Sequence, residues 1–223
     1  MTASVAPVIA IDGPSASGKG TIAKRVAAEL LFHYLESGAL YRLIALVSLR
    51  NTISAEEALA EVAERMAVGF AGDKIILSDQ DVTLDVRSEE VSKRASEVAK
   101  LRAVRNRLLQ RQRAFRRPPG LVADGRDMGT VVFPDATLKV FLTASPEVRA
   151  ERRYKQLIDK GIPANLRSLS RDLAERDARD RNRTVAPLVP APDSQVLDSS
   201  ALSIDAVAEL IVRWYRERTG GLR

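Results

Sequence analysis

A glycine-rich segment near the start of the chain constrains its fold more than any other feature. The segment, residues 13–21, reads Gly-Pro-Ser-Ala-Ser-Gly-Lys-Gly-Thr and follows a continuous apolar run at residues 8–11. After it, Ile22, Val26 and Leu30 recur at the spacing of one helix face. A buried strand, a glycine-rich loop and a helix in this order form one unit of a parallel sheet, and the helix N-terminus favours a bound phosphate. The sequence therefore predicts a phosphate-binding loop (P-loop), with a plain strand-to-helix turn as the alternative.

The residue types in this loop indicate how it would hold ATP. Gly13 and Gly18 let backbone N–H groups turn toward a phosphate, and Lys19 supplies a charge for the β- and γ-phosphates. The strict pattern has Ser or Thr directly after the lysine as a Mg²⁺ ligand, but here Gly20 comes before Thr21. This order resembles the nucleoside monophosphate kinases, which implies that Mg²⁺ is held through the ATP phosphates and water, with no direct protein ligand. The predicted ATP-binding residues are Gly13, Pro14, Ser15, Ala16, Ser17, Gly18, Lys19, Gly20 and Thr21.

Alternating strand and helix patterns along the rest of the chain predict an α/β fold. Further apolar strands are predicted at residues 121–124, 138–142 and 195–198, with helical patterns between them. Parallel strands joined through helices cross over with a right hand and are covered on both faces. We therefore predict a three-layer α/β/α arrangement with a mostly parallel central sheet.

Short strands and serine caps mark the remaining elements. Between residues 69 and 87 the pattern alternates, and Gly72 and Asp73 are typical of a hairpin turn, so a small insert containing β-strands is predicted. Serine accepts a hydrogen bond from the first turn of a helix. Helix starts are accordingly predicted at Ser37, Ser54, Ser88, Ser145 and Ser203. Helices are predicted over residues 21–31, 37–50, 54 to about 68, 102–117 and 166–181.

Composition excludes several kinds of chemistry. The chain has no cysteine and one histidine, which excludes disulfides, thiolate catalysis and metal sites built from Cys or several His. No apolar run reaches the roughly 18–20 residues that span a membrane, and the first residues read as a core strand, so a cytoplasmic protein without a membrane partner is expected. The net charge of +6 is compatible with nucleic-acid binding, but only 4% of residues are aromatic, which gives few platforms for stacking bases.

A second polar cluster follows the predicted strand at residues 121–124. Asp124, Arg126 and Asp127 lie there among glycines, at the carboxyl end of a strand, where open α/β sheets bind ligands. A purely structural turn does not require this density of charge, although that interpretation stays open. Ser37 and Arg42 are further candidates, with a plain helix cap and a solvated charge as their alternatives.

Three charged residues near the end of a predicted helix form a third candidate group. Arg176, Asp180 and Arg183 are spaced i, i+4 and i+7, so they share one face if the helix continues that far. A solvated helix with mixed charges is the alternative. An arginine-rich segment that accompanies an anion-binding loop favours a role in binding phosphates.

Together these motifs resemble the bacterial cytidylate kinases over essentially the whole chain. The resemblance is carried by residues 11–21, 36–42, 111–115, 123–133 and 180–188. Within them, Asp-Gly-Arg-Asp-Met-Gly-Thr and Asp-Arg-Asn-Arg are specific to that family. The resemblance implies a single P-loop kinase domain over residues 1–223, with a CMP-binding insert at about residues 62–101 and a lid at about residues 156–171.

The resemblance also implies an activity and a set of roles. The activity is transfer of the γ-phosphoryl group of ATP, with Mg²⁺, to CMP or dCMP. The implied CMP-binding residues are Ser37, Ser96, Arg105 and Asp127 for the cytosine, Arg42 for the phosphate, Asp180 for the sugar hydroxyls, and Arg126 at the same site. The implied catalytic residues are Lys19, Arg176 and Arg183. No general base is expected, because a phosphate oxygen is already a competent nucleophile.

Two other functions are compatible with the sequence. Another small-molecule P-loop kinase, of the UMP/CMP, adenylate or shikimate type, would prefer a different acceptor. A basic nucleic-acid-binding ATPase would bind RNA with a steep dependence on salt, but it gives Asp127 no role. The kinase interpretation therefore predicts ATP and CMP or dCMP as partners, no nucleic acid, and a monomer, since nothing in the sequence resembles a dimerisation segment.

Overall fold

The computed structural model describes residues 5–159 and 161–220. The chain divides into two compact units. We call residues up to 35 together with those from 115 onward the sheet unit, and residues 36–114 the helical unit. The predicted insert at about residues 62–101 falls inside the helical unit, which is wider than that prediction.

A five-stranded sheet forms the centre of the sheet unit, in the order β2-β6-β1-β7-β8. Its strands are β1 (Val8–Asp12), β2 (His33–Glu36), β6 (Leu121–Gly125), β7 (Leu138–Thr143) and β8 (Gln195–Asp198). β1 pairs in parallel with β6 and β7, and β7 pairs in parallel with β8. The predicted parallel sheet and four of its strands are confirmed, whereas β2 was missed because its four residues, His-Tyr-Leu-Glu, lack a clear apolar pattern.

The core of the sheet unit lies against the middle strands. β1 and β6 are buried along their whole length, as expected for continuous apolar strands inside a parallel sheet. Helices α1 (Lys19–Leu30) and α8 (Ile204–Thr219) bring Ile22, Val26 and Ile211 into the same apolar cluster. Each such side chain contributes about 1.5–3 kcal/mol when fully buried, so this cluster fixes the end of β1 where the glycine-rich loop begins.

Two further helices of the sheet unit, α6 (Pro146–Ile158) and α7 (Leu166–Arg181), contact each other. Ser145 caps α6 by accepting a hydrogen bond from Val148 N at 3.3 Å, and Ser203 caps α8 through Ala206 N at 3.1 Å. Both predicted caps are confirmed. Helix α7 occupies the predicted range, and Asn165 caps it. It ends at Arg181, so Arg183 lies beyond the helix and does not share a helical face with Arg176 and Asp180.

The helical unit contains four α-helices, a short 3₁₀-helix at Asp85–Arg87 and a small antiparallel sheet. The helices are α2 (Ser37–Arg50), α3 (Glu56–Arg65), α4 (Glu89–Val98) and α5 (Arg102–Arg113), and the strands are β3 (Val68–Ala71), β4 (Lys74–Leu77) and β5 (Gln80–Asp81). Helix α2 contacts α4, and α3 contacts α5. Gly72 turns the β3–β4 hairpin with a φ of 60°, which confirms the predicted hairpin turn. Ser88 caps α4, as predicted.

Two predicted caps and two helix ends are wrong. Ser37 is the first residue of α2, preceded by Glu36 at the cap position, and α3 begins after Ala55 instead of at Ser54. Helix α3 ends near residue 65 because the chain then enters β3 and pairs with β4. Helix α5 ends near residue 113, before the predicted residue 117, and Arg116 instead binds the Ala6 carbonyl at 2.7 Å. Among the helices of the described residues, none is long and apolar enough to cross a membrane.

Candidate active site

The glycine-rich loop leaves the carboxyl end of β1 and enters α1 at Lys19. Gly13 has no room for a side chain, since a Cβ atom there would lie 2.0 Å from the backbone oxygen of Leu142 on β7. Gly18 has a φ of 89° directly before α1 and accepts the first helical hydrogen bond from Ile22 N at 3.1 Å. The two glycines therefore allow the tight turn that points the N-terminus of α1 into the loop.

Replacing Gly13 by alanine should destabilise the protein strongly. The new Cβ would meet a backbone carbonyl, which no side-chain rearrangement can remove, so we expect the free energy of unfolding to fall by about 3 kcal/mol or more. Urea denaturation followed by circular dichroism measures this change. Gly72→Ala is the control, because that glycine also has a positive φ but no atom within 4 Å of an added Cβ, and it should cost only about 1 kcal/mol. Equal losses in the two variants would contradict the close approach.

Lys19 is buried among charged groups of both signs. Its side chain is only 8% exposed, and Nζ donates to the Pro14 carbonyl at 3.0 Å. Burial lowers the pKa of Lys19 to about 7, and the nearby charges of Arg126 and Arg176 contribute to this, against the opposing effect of Asp124. A lysine in this position gains most from an anion such as a phosphate, which would restore its charge.

Binding of ATP should therefore be linked to proton uptake. With a pKa of about 7 in the free protein, Lys19 is mostly neutral at pH 8 and takes up nearly one proton when phosphates raise its pKa, but it takes up little at pH 6. Apparent ATP affinity should fall as the pH rises above 7. Calorimetry of MgATP binding in buffers with different ionisation enthalpies measures the uptake. Lys19→Met serves as the control for protons bound by the nucleotide itself, and equal uptake in this variant would contradict the assignment.

Arg126 connects the loop to the end of α7. Its Nη2 donates to Ser15 Oγ at 2.7 Å, and its Nε donates to Asp180 Oδ2 at 2.8 Å. Asp180 is 1% exposed and also forms an ion pair with Arg183. Burial alone would raise the pKa of Asp180, but Arg126, Arg183 and Arg176 together hold it below its usual value. The structure thus brings the loop together with Arg126 and with the Asp180–Arg183 pair, which the sequence predicted as two separate groups.

Two arginines that were not predicted from the sequence also contact the loop. Arg149 is 3% exposed, donates to the Ser15 carbonyl at 3.1 Å, and pairs with Asp177 of α7 at 2.6 Å. Arg152 donates to the Ser17 carbonyl at 3.1 Å. They lie one turn apart on α6, which begins after β7, but Arg153 shares that helix, so spacing alone does not single them out.

Asp127 begins a turn that is fixed by a carboxylate from another strand. A single turn of π-helix covers Met128–Val132, and Asp127 is buried directly before it. Asp12, at the end of β1, accepts hydrogen bonds from Met128 N and Gly129 N, both at 2.8 Å. Burial raises the pKa of Asp12 to about 7, and the charge of Asp127 adds to this, while the two N–H donors oppose it. Asp127 was predicted from the sequence, but Asp12 was missed.

A tyrosine orients the other acid at the end of β6. Tyr34 Oη donates to Asp124 Oδ2 at 2.5 Å. The same oxygen lies 3.8 Å from where a Cβ of Gly20 would be, so the Asp124 carboxylate stands beside the start of α1. Thr21, predicted to bind ATP, is exposed. No group of three or more potential ligands that could hold a metal ion occurs in the part of the chain that the structure describes.

The helical unit carries the four other residues implied for CMP. Ser37 is buried at the start of α2, and Arg42, also on α2, pairs with Glu36 at 2.6 Å. Arg105 of α5 lies over the ring of Tyr41, with its guanidinium carbon 5.7 Å from the ring centre, and donates to the Ala99 carbonyl at 3.2 Å. The contact with Tyr41 brings Arg105 against α2.

Ser96 of α4 differs from these residues in its hydrogen bonding. It is buried, and its Oγ has no hydrogen-bond partner within residues 5–159 and 161–220. Buried hydroxyl groups normally have a hydrogen-bond partner, so the Ser96 hydroxyl retains its capacity to bond to another group.

The sheet unit has the architecture of P-loop phosphotransferases: a parallel sheet, a glycine-rich loop with a buried lysine, and arginines held around it. A family model described as "Cytidylate kinase" matches residues 9–217. The chain belongs to the cytidylate kinase family.

Curated relatives are similar over nearly their whole length. A protein named cytidylate kinase from Paraburkholderia phymatum is 60% identical over 212 residues, which cover 94% of this chain and 93% of the relative. Another of that name, from Bordetella bronchiseptica, is 58% identical over 217 residues, which cover 96% and 97% of the two chains. These relatives confirm the family indicated by the sequence motifs.

Among solved structures, an uncharacterized protein from Eubacterium ventriosum is similar in fold, with a TM-score of 0.50 and 10% sequence identity. The similarity covers 95% of this chain and 98% of that one. At this identity the likeness concerns the fold alone.

Proposed function

We propose that this chain is an ATP:CMP phosphotransferase that converts ATP and CMP or dCMP into ADP and CDP or dCDP. Family membership supports the reaction, and the observation that carries it is the group of cations around the loop, namely Lys19, Arg126, Arg176 and Arg183. Phosphoryl transfer requires positioning and charge neutralisation more than covalent chemistry. A buried lysine with a lowered pKa, next to arginines that share one carboxylate, meets that requirement.

On the donor side, the loop amides and Lys19 bind the phosphates of ATP, with residues 13–21 as the ATP-binding segment. Arg176 and Arg183 neutralise the charge that spreads over the transferred group, in the manner of arginine fingers supplied by the same chain. The ion pair with Asp180 supports this role for Arg183, because it holds the guanidinium group in a fixed position. For Arg176, the support is that its charge acts on both Lys19 and Asp180. An oxygen of the CMP phosphate attacks the γ-phosphorus, ADP leaves, and no separate base is required.

On the acceptor side, Asp127 of the sheet unit accepts a hydrogen bond from the exocyclic amine of cytosine. Uracil carries a carbonyl oxygen at that position, which would leave the buried carboxylate facing another acceptor. Asp180 accepts from the sugar hydroxyls, and Arg126 contributes charge at the same site. The burial of Asp127 and Asp180 supports these roles, since contacts made away from water discriminate best.

In the helical unit, Ser37, Ser96 and Arg105 contact the cytosine and Arg42 binds the CMP phosphate. The buried Ser96 Oγ supports the first assignment, because cytosine would supply its missing partner. The ion pair of Arg42 with Glu36 supports the second, because it holds the guanidinium in place on α2. The segment at about residues 62–101 is proposed as the CMP-binding insert, and that at about residues 156–171 as the lid.

Mg²⁺ is the expected metal ion, and it accompanies ATP. The residues fit an ion held through the nucleotide, since Gly20 replaces the usual hydroxyl ligand and the Asp124 carboxylate lies close by for a contact through water. When bound, Mg²⁺ would neutralise charge on the β- and γ-phosphates.

We further propose that the protein is a cytoplasmic monomer that binds neither nucleic acid nor membranes.

The experiment that tests this function is a coupled ADP-release assay with MgATP and CMP, dCMP, UMP, AMP, shikimate or no acceptor. We expect rapid turnover with CMP or dCMP, weaker turnover with UMP and little with the rest. Asp127→Ala should lower the ratio of kcat/KM for CMP to that for UMP about a hundredfold. A preference for AMP or shikimate would identify another small-molecule kinase. ADP release without an acceptor, stimulated by RNA, would identify a nucleic-acid-dependent ATPase.

A further inference from the structure

Asp12 is a buried acid that the proposed mechanism leaves without a role. It is the last residue of β1, directly before the glycine-rich loop, and lies opposite Gly125 of β6 in the sheet. A buried carboxylate is costly unless hydrogen bonds compensate for its burial. Two compensating bonds reach its oxygens from one place, the backbone N–H groups of Met128 and Gly129.

These two N–H groups belong to the first residues of the turn, which have no acceptor inside it. Inside the turn, Val132 N donates to the Asp127 carbonyl at 3.1 Å and Phe133 N donates to the Met128 carbonyl at 2.7 Å. The first N–H groups of any helical turn have no acceptor within it. Asp12, at the end of β1, supplies an acceptor for each of the two N–H groups. Its carboxylate therefore caps the turn with two hydrogen bonds, which fix the position and direction of the turn.

The surroundings of Gly129 leave the turn little freedom to move. A Cβ atom at Gly129 would lie 3.2 Å from the side-chain carbons of Lys139 and 3.5 Å from Asp12 Oδ2. Met128 is fully buried beside it. The turn is therefore held between Asp12 on one side and the hydrocarbon part of Lys139 on another, and Asp127 begins this held segment.

We propose that Asp12 is a positioning residue that sets the preference for cytosine by fixing the turn that begins at Asp127. This inference rests on the proposed contact between Asp127 and the cytosine amine. Because hydrogen-bond readout of a base depends on placement to a fraction of an ångström, a turn that loses one of its two anchors should hold Asp127 less accurately. Losing one anchor should therefore reduce mainly the discrimination between CMP and other acceptor nucleotides.

Asp12→Asn is the most direct test. Asparagine keeps the shape of aspartate but has one oxygen, so its amide nitrogen would face one of the two N–H donors. We expect the ratio of kcat/KM for CMP to that for UMP to fall about tenfold, chiefly through a higher KM for CMP, with a much smaller change in the KM for ATP. Hydrogen exchange of the Met128 and Gly129 amides should become faster in the same variant.

Gly129→Ala perturbs the contact between Asp12 and the turn by a change in the turn instead of in Asp12. Its φ is not positive, so alanine is compatible with the backbone, but the added Cβ would lie 3.2 Å from the side-chain carbons of Lys139 and touch Asp12 Oδ2 at 3.5 Å, so the turn must shift slightly relative to Asp12. We expect the same direction of change in the CMP-to-UMP ratio. Asp177→Asn is the control, because that buried acid pairs with Arg149 and forms no hydrogen bond with the turn within the described residues; it should lower stability without changing the ratio.

A double variant separates the possible outcomes. If Asp12 acts through Asp127, Asp12→Asn should change the CMP-to-UMP ratio very little in an Asp127→Ala background. A ratio that is unchanged in Asp12→Asn, while Asp127→Ala lowers it, would overturn the positioning role and leave the proposed function intact. A ratio that is unchanged in Asp127→Ala would overturn the cytosine contact itself. Equal losses of kcat/KM with CMP and UMP in Asp12→Asn would show that Asp12 only stabilises the fold.

Discussion

Lys19→Met should reduce kcat for CMP phosphorylation about a thousandfold or more and at the same time stabilise the nucleotide-free protein. Methionine retains most of the volume of the lysine side chain but removes the charge that we propose to face the transferred phosphate, and one donor of this kind contributes about 10²–10³ in rate on its own. The stabilisation follows from the lowered pKa, because the folded protein holds Lys19 in an environment that disfavours its charge.

The sign of the stability change can be worked out from that pKa. Between pH 7 and 10.5 the unfolded chain binds the lysine proton more strongly than the folded protein does, so the stability of the wild type rises with pH over this window. Below pH 7 the full cost of burying the charge is present. At pH 6.5 and without nucleotide, Lys19→Met should therefore raise the free energy of unfolding by about 1–3 kcal/mol.

Steady-state kinetics and urea denaturation measure the two effects, and Lys24→Met is the matched control. Lys24 lies on the same helix with its Nζ 5.7 Å from the centre of the Tyr34 ring. Its replacement should leave kcat within about twofold and should not stabilise the protein. If Lys19→Met lowers stability as well as activity, the lysine has a structural role and its charge is well accommodated in the free protein.

The order of strands and helices in the sheet unit was predictable because its signals are local. β1 and β6 are continuous apolar runs, and the glycine-rich loop has a sequence pattern with one structural context. β2 was not predictable in the same way, since His33–Glu36 becomes a strand through pairing with a distant part of the chain. The cap at Ser54 failed for a different, local reason: the first bond of α3 goes from Leu59 N to the carbonyl of Ala55, so the helix begins one residue later than predicted.

The candidate site was predictable where a residue type, together with its local sequence, indicates its chemical role. A lysine in a glycine-rich loop and an Arg-Asp pair at a strand end stand out in sequence, and Lys19, Arg126 and Asp127 were selected on that basis. Asp12 and Arg149 were not, because their significance lies in which distant backbone groups they bind. Such contacts arise only when strands and helices far apart in sequence are packed together.

Arg183→Ala should produce the other large effect, a loss of about 10³ in the rate of phosphoryl transfer with ATP binding nearly unchanged. The guanidinium of Arg183 is held by Asp180, which also pairs with Arg126, so it is fixed in place without substrates. In the proposed mechanism its charge therefore serves the transition state more than the ground state. Rapid-quench measurement of a single turnover, together with calorimetry of ATP binding, separates these two steps. The variant also leaves the Asp180 carboxylate with one partner fewer, so its melting temperature must be measured to confirm that the assayed protein is folded.

Arg183→Lys and Arg179→Ala make this prediction specific. Lysine restores the charge but not the planar fork that binds a phosphate through two N–H groups, so Arg183→Lys should recover only a small part of the rate. Arg179 lies on α7, four residues before Arg183, but its Nε donates to the Glu175 carbonyl one turn back, and its removal should change the rate by less than about twofold. A large loss in Arg179→Ala would move the catalytic role to the other face of α7. A loss of ATP affinity that accounts for the whole defect in Arg183→Ala would make Arg183 a ground-state binding residue, because a group that acts in the transition state must affect the rate more than the binding.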